Sequence, residues 1–259
     1  MSSQKISNEE TGSLQAEMYA EHDALMRTEK HIWKFNKFPE APMSNTLVDW
    51  FRMIWQMKIA IIVSLVDLEN MKIKNRFRVR TISMREEEGG IINYQLRLKN
   101  KLSLEKQPRT LYVISMPTQL NEPIHPRKQL KLVAEMWATE MAIAPSQETS
   151  APILVHGCNG VSRTAAFVAT CMLCKSLITR GEMSPLEVWA RLNHARHNAA
   201  KERIHFLSSI ECALLFAVDN GLIPAEYPQL EQMIHAGYQE DRRKARPPSA
   251  SRECSPITY

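Results

Sequence analysis

Apolar and polar positions divide the chain into short apolar runs separated by amphipathic stretches. Leu14, Met18, Leu25 and Met26 predict a helix over 13–26. The alternating segment 30–38, with Trp33, Phe35 and Phe38, reads as a strand that Pro39 and Pro42 end. Ser44 and Asn45 stand where caps belong for a helix over about 46–58, in which Leu47, Phe51, Ile54 and Trp55 share one face. The apolar run 59–65 reads as a strand. Segments 77–84 and 91–98 flank the acidic turn Glu86-Glu87-Glu88-Gly89-Gly90 and predict a hairpin, and 111–115 is a further strand. Leu130, Val133, Ala134, Trp137 and Met141 mark a helix over about 127–142.

Residues 153–156, after Pro152, read as a buried strand, and Ala165, Phe167, Val168, Cys171, Met172 and Ile178 mark a helix over about 163–179. Ser184-Pro185-Leu186-Glu187 has the form of a capping box with proline at the first helical position, opening a helix to about 196. The last long helix spans 203–220 and ends at Gly221, with a short helix expected over 224–238. The resulting division is a disordered N-terminus (1–12), a folded domain (13–238) and a disordered basic Pro- and Ser-rich tail (239–259). Strands alternating with helices around a buried run predict an α/β (α+β) domain.

Composition changes this picture only at its edges. A chain of 259 residues that is 44% hydrophobic and 24% charged has material for a substantial core, and wholesale disorder is not its expected state. The net charge of +5 suits acidic or phosphorylated partners. No aromatic-studded basic stripe accompanies it, so a nucleic-acid partner is not expected. Five cysteines (Cys158, Cys171, Cys174, Cys212, Cys254) are odd in number and lack framework spacing, which points to a reducing, cytoplasmic setting. Cys171 and Cys174 have redox or metal spacing but fall within a helix and lack a second Cys/His pair nearby, so they read as packing residues. No metal or cofactor is expected. The polar start Met1-Ser2-Ser3-Gln4-Lys5 does not read as a secretory signal, and the run 59–66 is too short to span a bilayer.

Chemistry concentrates in Ile153-Leu154-Val155-His156-Gly157-Cys158-Asn159-Gly160-Val161-Ser162-Arg163-Thr164-Ala165. A strand, a tight glycine-containing loop and a helix N-terminus make an anion cradle, because unpaired backbone N–H groups converge where the helix dipole favours negative charge. Arg163 at the helix mouth adds a bidentate fork for phosphate oxygens.

This segment resembles the signature loop of the protein tyrosine phosphatase family, His-Cys-x5-Arg-Ser/Thr-Gly after an apolar strand, at Val155, His156, Gly160, Val161, Arg163 and Thr164. Asn45-Thr46-Leu47-Val48-Asp49-Trp50-Phe51-Arg52-Met53-Ile54-Trp55 resembles a helix of the same family, and 59–65 its buried central strand. The resemblance implies the tyrosine phosphatase fold, a twisted mixed sheet flanked by helices on both faces. It also implies phosphate contacts from Cys158, Asn159, Gly160, Val161, Ser162 and Arg163.

The same resemblance implies degenerate catalytic positions. The nucleophilic cysteine falls on Gly157, and the glycine after Arg-Thr falls on Ala165. Cys158 leaves four residues rather than five before Arg163, which turns its side chain away from the converging amides. The acid of the family's Trp-Pro-Asp loop falls on Thr118 of Met116-Pro117-Thr118, a hydroxyl that is no acid at neutral pH, and nearby Glu122 reads as an exposed loop residue. Lys201 falls where a glutamine positions water, and His205 where a second glutamine often sits, in a stretch that otherwise reads as a solvated charged loop. Lys74-Asn75-Arg76-Phe77 mimics the phosphotyrosine-recognition loop but comes after the 59–65 strand rather than well before it. Trp33, Phe35 and Phe38 are then either a substitute aromatic wall or strand core. The implied function is a pseudophosphatase that binds a phosphotyrosine-containing or other signalling protein. A pure interaction scaffold with a vestigial pocket is the alternative, and residual phosphatase activity ranks third.

Overall fold

The computed structural model describes residues 46–66, 76–105, 107–118, 123–144, 152–157, 160–199 and 201–224. The expected helix over 13–26, the strand over 30–38, Ser44, Asn45, Lys74, Asn75, Glu122, Cys158, Asn159, the short C-terminal helix beyond Pro224 and the tail lie outside them. The described residues up to Gly160 belong to one compact unit and those from Val161 onward to a second.

The described residues of the first unit form a five-stranded mixed sheet in the order β2-β3-β4-β1-β5. The strands are β1 (Ile61–Ser64), β2 (Phe77–Glu87), β3 (Ile91–Asn100), β4 (Arg109–Ser115) and β5 (Leu154–His156). β1 runs parallel to both β4 and β5. Every residue of β1 is buried, as a strand covered on both faces requires. β2 and β3 form the expected antiparallel hairpin, longer than the pattern predicts because pairing continues to Glu87–Ile91 at the tip and Phe77–Asn100 at the base. Gly89 and Gly90 adopt φ of 89° and 79°, left-handed values that side-chain-bearing residues rarely take. β5 departs from expectation. It is three residues long, has β1 as its strand neighbour among the described residues, and leaves Leu154 and Val155 half-buried rather than buried.

Helix α1 (Leu47–Gln56) lies on one sheet face. Its predicted apolar face is the observed one: Leu47, Phe51, Ile54 and Trp55 pack with Ile62, Phe77, Leu96, Leu98, Leu111 and Val113. Helix α2 (Pro126–Ile143) lies on the other face. There the Asn93 side-chain amide donates to the Glu135 carboxylate at 3.3 Å, and Asn93 is in register with Ile114. The buried face of α2 matches the predicted one only at Val133, with Leu130 and Trp137 half-buried. Gln129, Leu132, Val133 and Met136 turn inward, while Ala134 and Met141 are exposed. Two helical stripes of equal periodicity exist in this segment, and the buried one contains a glutamine, which hydrophobic patterning passes over.

The second unit contains α3 (Ser162–Arg180), α4 (Pro185–Ala195) and α5 (Arg203–Asp219). α3 packs against both α4 and α5, with Phe167, Leu173, Cys174, Trp189, Phe206 and Cys212 buried. The Trp189 indole N–H donates to the Ser209 hydroxyl at 2.9 Å, and its ring meets Phe206 at 5.9 Å. Ile178, one of the apolar positions that mark α3, is exposed. Ser184 is the N-cap residue of α4, with Pro185 at the first turn as predicted, but no side-chain capping bond forms. Glu187 pairs instead with Arg191 one turn on, at 2.7 Å. Cys174 is buried in the helix packing, and that burial pushes its thiol up to about 12. This favours the protonated, unreactive form over the thiolate that metal binding or redox exchange needs. No helix among the described residues is long and apolar enough to cross a membrane.

Candidate functional site

In the first unit, three parallel strands bring their C-terminal ends together, the place where open α/β sheets build sites. β5 ends at His156, in register with Ser64, and the Leu65 N–H donates to the His156 carbonyl at 2.9 Å. Gly157 follows and is buried. The chain leaving β4 passes buried Met116, whose N–H donates to the Ser64 carbonyl at 2.8 Å. The Thr118 hydroxyl then donates to the Leu65 carbonyl at 3.0 Å. Leu65 thus links Gly157's strand to Thr118, and the Thr118 hydroxyl serves as a backbone tie.

His156 is buried, with its ring edge-on to Trp50 at 5.5 Å between centroids. Neither ring nitrogen has a hydrogen-bond partner among the described residues. Burial disfavours the imidazolium and brings the His156 pKa down to about 4, so the ring is neutral at physiological pH.

Between strand and helix, Gly160 is buried with φ of 69°, a left-handed value suited to glycine, and Val161 is extended. Cys158 and Asn159 lie outside the described residues.

In the second unit, Ser162 opens α3 with φ of 25°, outside the region side-chain-bearing residues favour. Its hydroxyl hydrogen-bonds the Glu202 carboxylate. Glu202 also accepts from His205 Nε2 at 3.2 Å. Arg163 is half-buried, and partial desolvation lowers its pKa while the Glu202 charge opposes that shift. Glu202 is held below the ordinary carboxylate value, first by the His205 hydrogen bond and further by Ser162 and the Lys201 charge.

Of the positions singled out in this loop, Lys201 is exposed, whereas His205 is buried and bonded to Glu202. The turn before them uses Asn198 at φ of 64°, a left-handed position that asparagine tolerates, with the Lys201 N–H donating to the Asn198 carbonyl at 3.2 Å. Glu202 is the residue that sequence reading missed. The only signal was a carboxylate three residues before a histidine at a helix start.

The protein-tyrosine phosphatase family model matches residues 38–215. The chain is similar to tyrosine-protein phosphatase non-receptor type 7 of Mus musculus, 30% identical over 165 residues, or 59% of this chain and 44% of that protein. It is also similar to tyrosine-protein phosphatase non-receptor type 5 of Rattus norvegicus, 27% identical over 184 residues, or 61% of this chain and 44% of that protein. The chain therefore spans less than half the length of these relatives. The crystal structure of the catalytic domain of human protein tyrosine phosphatase non-receptor type 18 shares the fold, with a TM-score of 0.57 at 16% identity over 68% of this chain and 67% of that one. The family match begins before α1 and runs into α5, taking in the whole strand-to-helix motif, and the chain belongs to the protein-tyrosine phosphatase family.

Proposed function

We propose that this chain is a pseudophosphatase, a tyrosine-phosphatase-like domain that engages phosphotyrosine-bearing or other signalling proteins without cleaving phosphate esters. The observation that carries the reading is Gly157: a residue without a side chain, buried at the end of β5, where the family pattern has its nucleophilic cysteine. Covalent phosphoryl transfer needs a thiolate to attack phosphorus and an acid to protonate the leaving oxygen. Glycine supplies no nucleophile, and Thr118, committed to the Leu65 carbonyl, supplies no acid. Arg163 retains the charge and the planar fork that recognise phosphate oxygens. A related fold, that of PTPN18, has been solved in complex with HER2 phosphopeptides, which supports a phosphopeptide as the ligand class.

The test pairs two measurements on the full chain. Para-nitrophenyl phosphate should show no turnover above background, while a phosphotyrosine peptide should bind more tightly than its unphosphorylated form. Turnover abolished by iodoacetamide and by Cys158→Ser would overturn the reading. A second reading, a scaffold whose pocket is vestigial, draws support from Glu202, whose negative charge acts on the Arg163 guanidinium. Equal binding of the two peptides favours it.

A further inference from the structure

Four cations face one another across the β2–β3 hairpin. Arg78 is in register with Lys99, and Arg80 with Arg97, and all four are exposed. They share the sheet face opposite the one on which their neighbours Leu96 and Leu98 join the α1 core. Among the described residues no ion pair engages any of the four: Glu87 pairs with Arg85, Glu88 with Lys131, and Glu105 with Arg109. Like charges directly opposite across strands destabilise a hairpin. This arrangement therefore opposes the hairpin's own stability, and packing gives no reason for it.

Charged residues often guard the outermost strand of a sheet against edge-to-edge association. That role accounts for Arg78 and Arg80, since among the described residues β2 is the outermost strand on its side of the sheet. It does not account for Arg97, which lies on β3 and is paired on both sides, with Arg80 of β2 and Thr110 of β4, nor for Lys99 two residues on in the same strand.

We infer that this face is a docking surface for an extended acidic protein segment lying along β2, with acidic side chains at alternate positions meeting the four cations. The spacing fits that partner. Cations two residues apart on a strand repeat about every 7 Å, the repeat of same-face side chains on a neighbouring extended chain. A register irregularity between Thr81 and Ser83 separates the stretch that carries Arg78 and Arg80 from the paired residues toward the hairpin tip. A lipid surface fits less well. Exposed Met84 is in register with Tyr94, which packs on the α1 side, so Met84 does not accompany the cations. The hairpin tip also presents Glu86 and Glu88, which an anionic bilayer repels.

The experiment uses the full chain and a fluorescein-labelled peptide of alternating Glu-Thr, with a Glu-block peptide of equal composition as control. Anisotropy should show binding that weakens with salt, at least several-fold tighter for the alternating peptide. Arg97→Glu should reduce that affinity tenfold or more. By placing opposite charges across the strands it should also raise Tm by about 1–3 °C. Arg78→Gln with Lys99→Gln should give an intermediate loss and serves if Arg97→Glu does not fold. Lys175→Glu, an exposed change on α3, should leave binding unchanged. Absence of peptide binding overturns the inference, as does equal binding of the two peptides. So does capture by phosphatidylserine vesicles or single-stranded RNA with no peptide binding. Variants that aggregate yet bind unchanged would show edge protection alone and also overturn it.

Discussion

His205 Nε2 lies 3.2 Å from Glu202 Oε2, joining the N-cap residue of α5 to the first turn of that helix. The carboxylate there also meets the positive end of the helix dipole. Because Glu202 is held below its ordinary value of 4.5, its ionised form favours the folded state. The sign follows: the contribution is present above the unfolded-state pKa and disappears as pH falls through the lower folded-state pKa. Glu202→Gln should therefore lower Tm at neutral pH, by only about 1–2 °C because the carboxylate is half-exposed and screened. The difference should vanish on acidification below the carboxylate range. Thermal melts of both proteins from pH 7 to pH 3 check this, and a gap that widens in acid would contradict it.

His156 gives the opposite chemistry with the same outcome in acid. Its folded pKa of about 4 lies below the ordinary 6.5, so the unfolded chain takes up a proton that the folded one refuses. Stability should fall as pH drops from about 6.5 towards 4, by a limit on the order of 3 kcal/mol. His156→Leu keeps similar bulk beside Trp50 and removes the titration. Its urea-unfolding stability should change much less over the same interval, and a slope identical to wild type would show that the ring is protonated in place.

On the proposed pseudophosphatase reading, building catalysis should take several changes. Gly157→Cys alone should yield at most a trapped or very slow enzyme, since the leaving oxygen still lacks a proton donor and Lys201 cannot orient water by accepting its hydrogen bond. Adding Thr118→Asp and Lys201→Gln should raise the rate stepwise and non-additively. The second step has a structural cost: Thr118→Asp replaces a hydroxyl donor to the Leu65 carbonyl with a carboxylate, which costs about 1–3 kcal/mol. Single-turnover kinetics with an aryl phosphate and a melt of each variant measure both effects. Family-like turnover from Gly157→Cys alone would show that the other loops remain competent.

What the sequence reveals depends on whether burial follows hydrophobicity. α1 was legible because Leu47, Phe51, Ile54 and Trp55 are both the apolar stripe and the buried one. The β2–β3 hairpin was legible because two glycines follow an acidic run where left-handed backbone is needed. The buried face of α2 was not, because Gln129 is among its buried residues. The Ser184 capping bond was not, because Glu187 finds Arg191 instead. In the candidate site, Gly157 and Thr118 were singled out by their place in a motif. Glu202 was hidden because its partner Ser162 lies two helices earlier in the chain, and a carboxylate three residues before a histidine is a weak signal by itself.

On the proposed reading, in which Arg163 receives an anion, Glu202 sets the terms of that contact. The Glu202 charge acts on the Arg163 guanidinium, and the carboxylate is bonded to Ser162, the residue before Arg163. A phosphate arriving at Arg163 would meet this like charge. Glu202→Gln should therefore strengthen phosphotyrosine-peptide binding several-fold while leaving the unphosphorylated peptide unaffected. Arg163→Met should abolish the preference for the phosphorylated peptide, and Arg163→Lys should weaken it, since a point charge cannot match two oxygens at once. Combining Arg163→Met with Glu202→Gln should bind no better than Arg163→Met alone, because the carboxylate matters only through the cation. Binding should weaken as salt rises. Isothermal titration with both forms of one peptide across these variants decides the matter. If Glu202→Gln changes nothing while Arg163→Met abolishes the preference, Glu202 does not oppose the incoming anion. If the two forms bind alike in wild type and Arg163→Met alters neither, the pocket is vestigial and binding lies elsewhere on the surface.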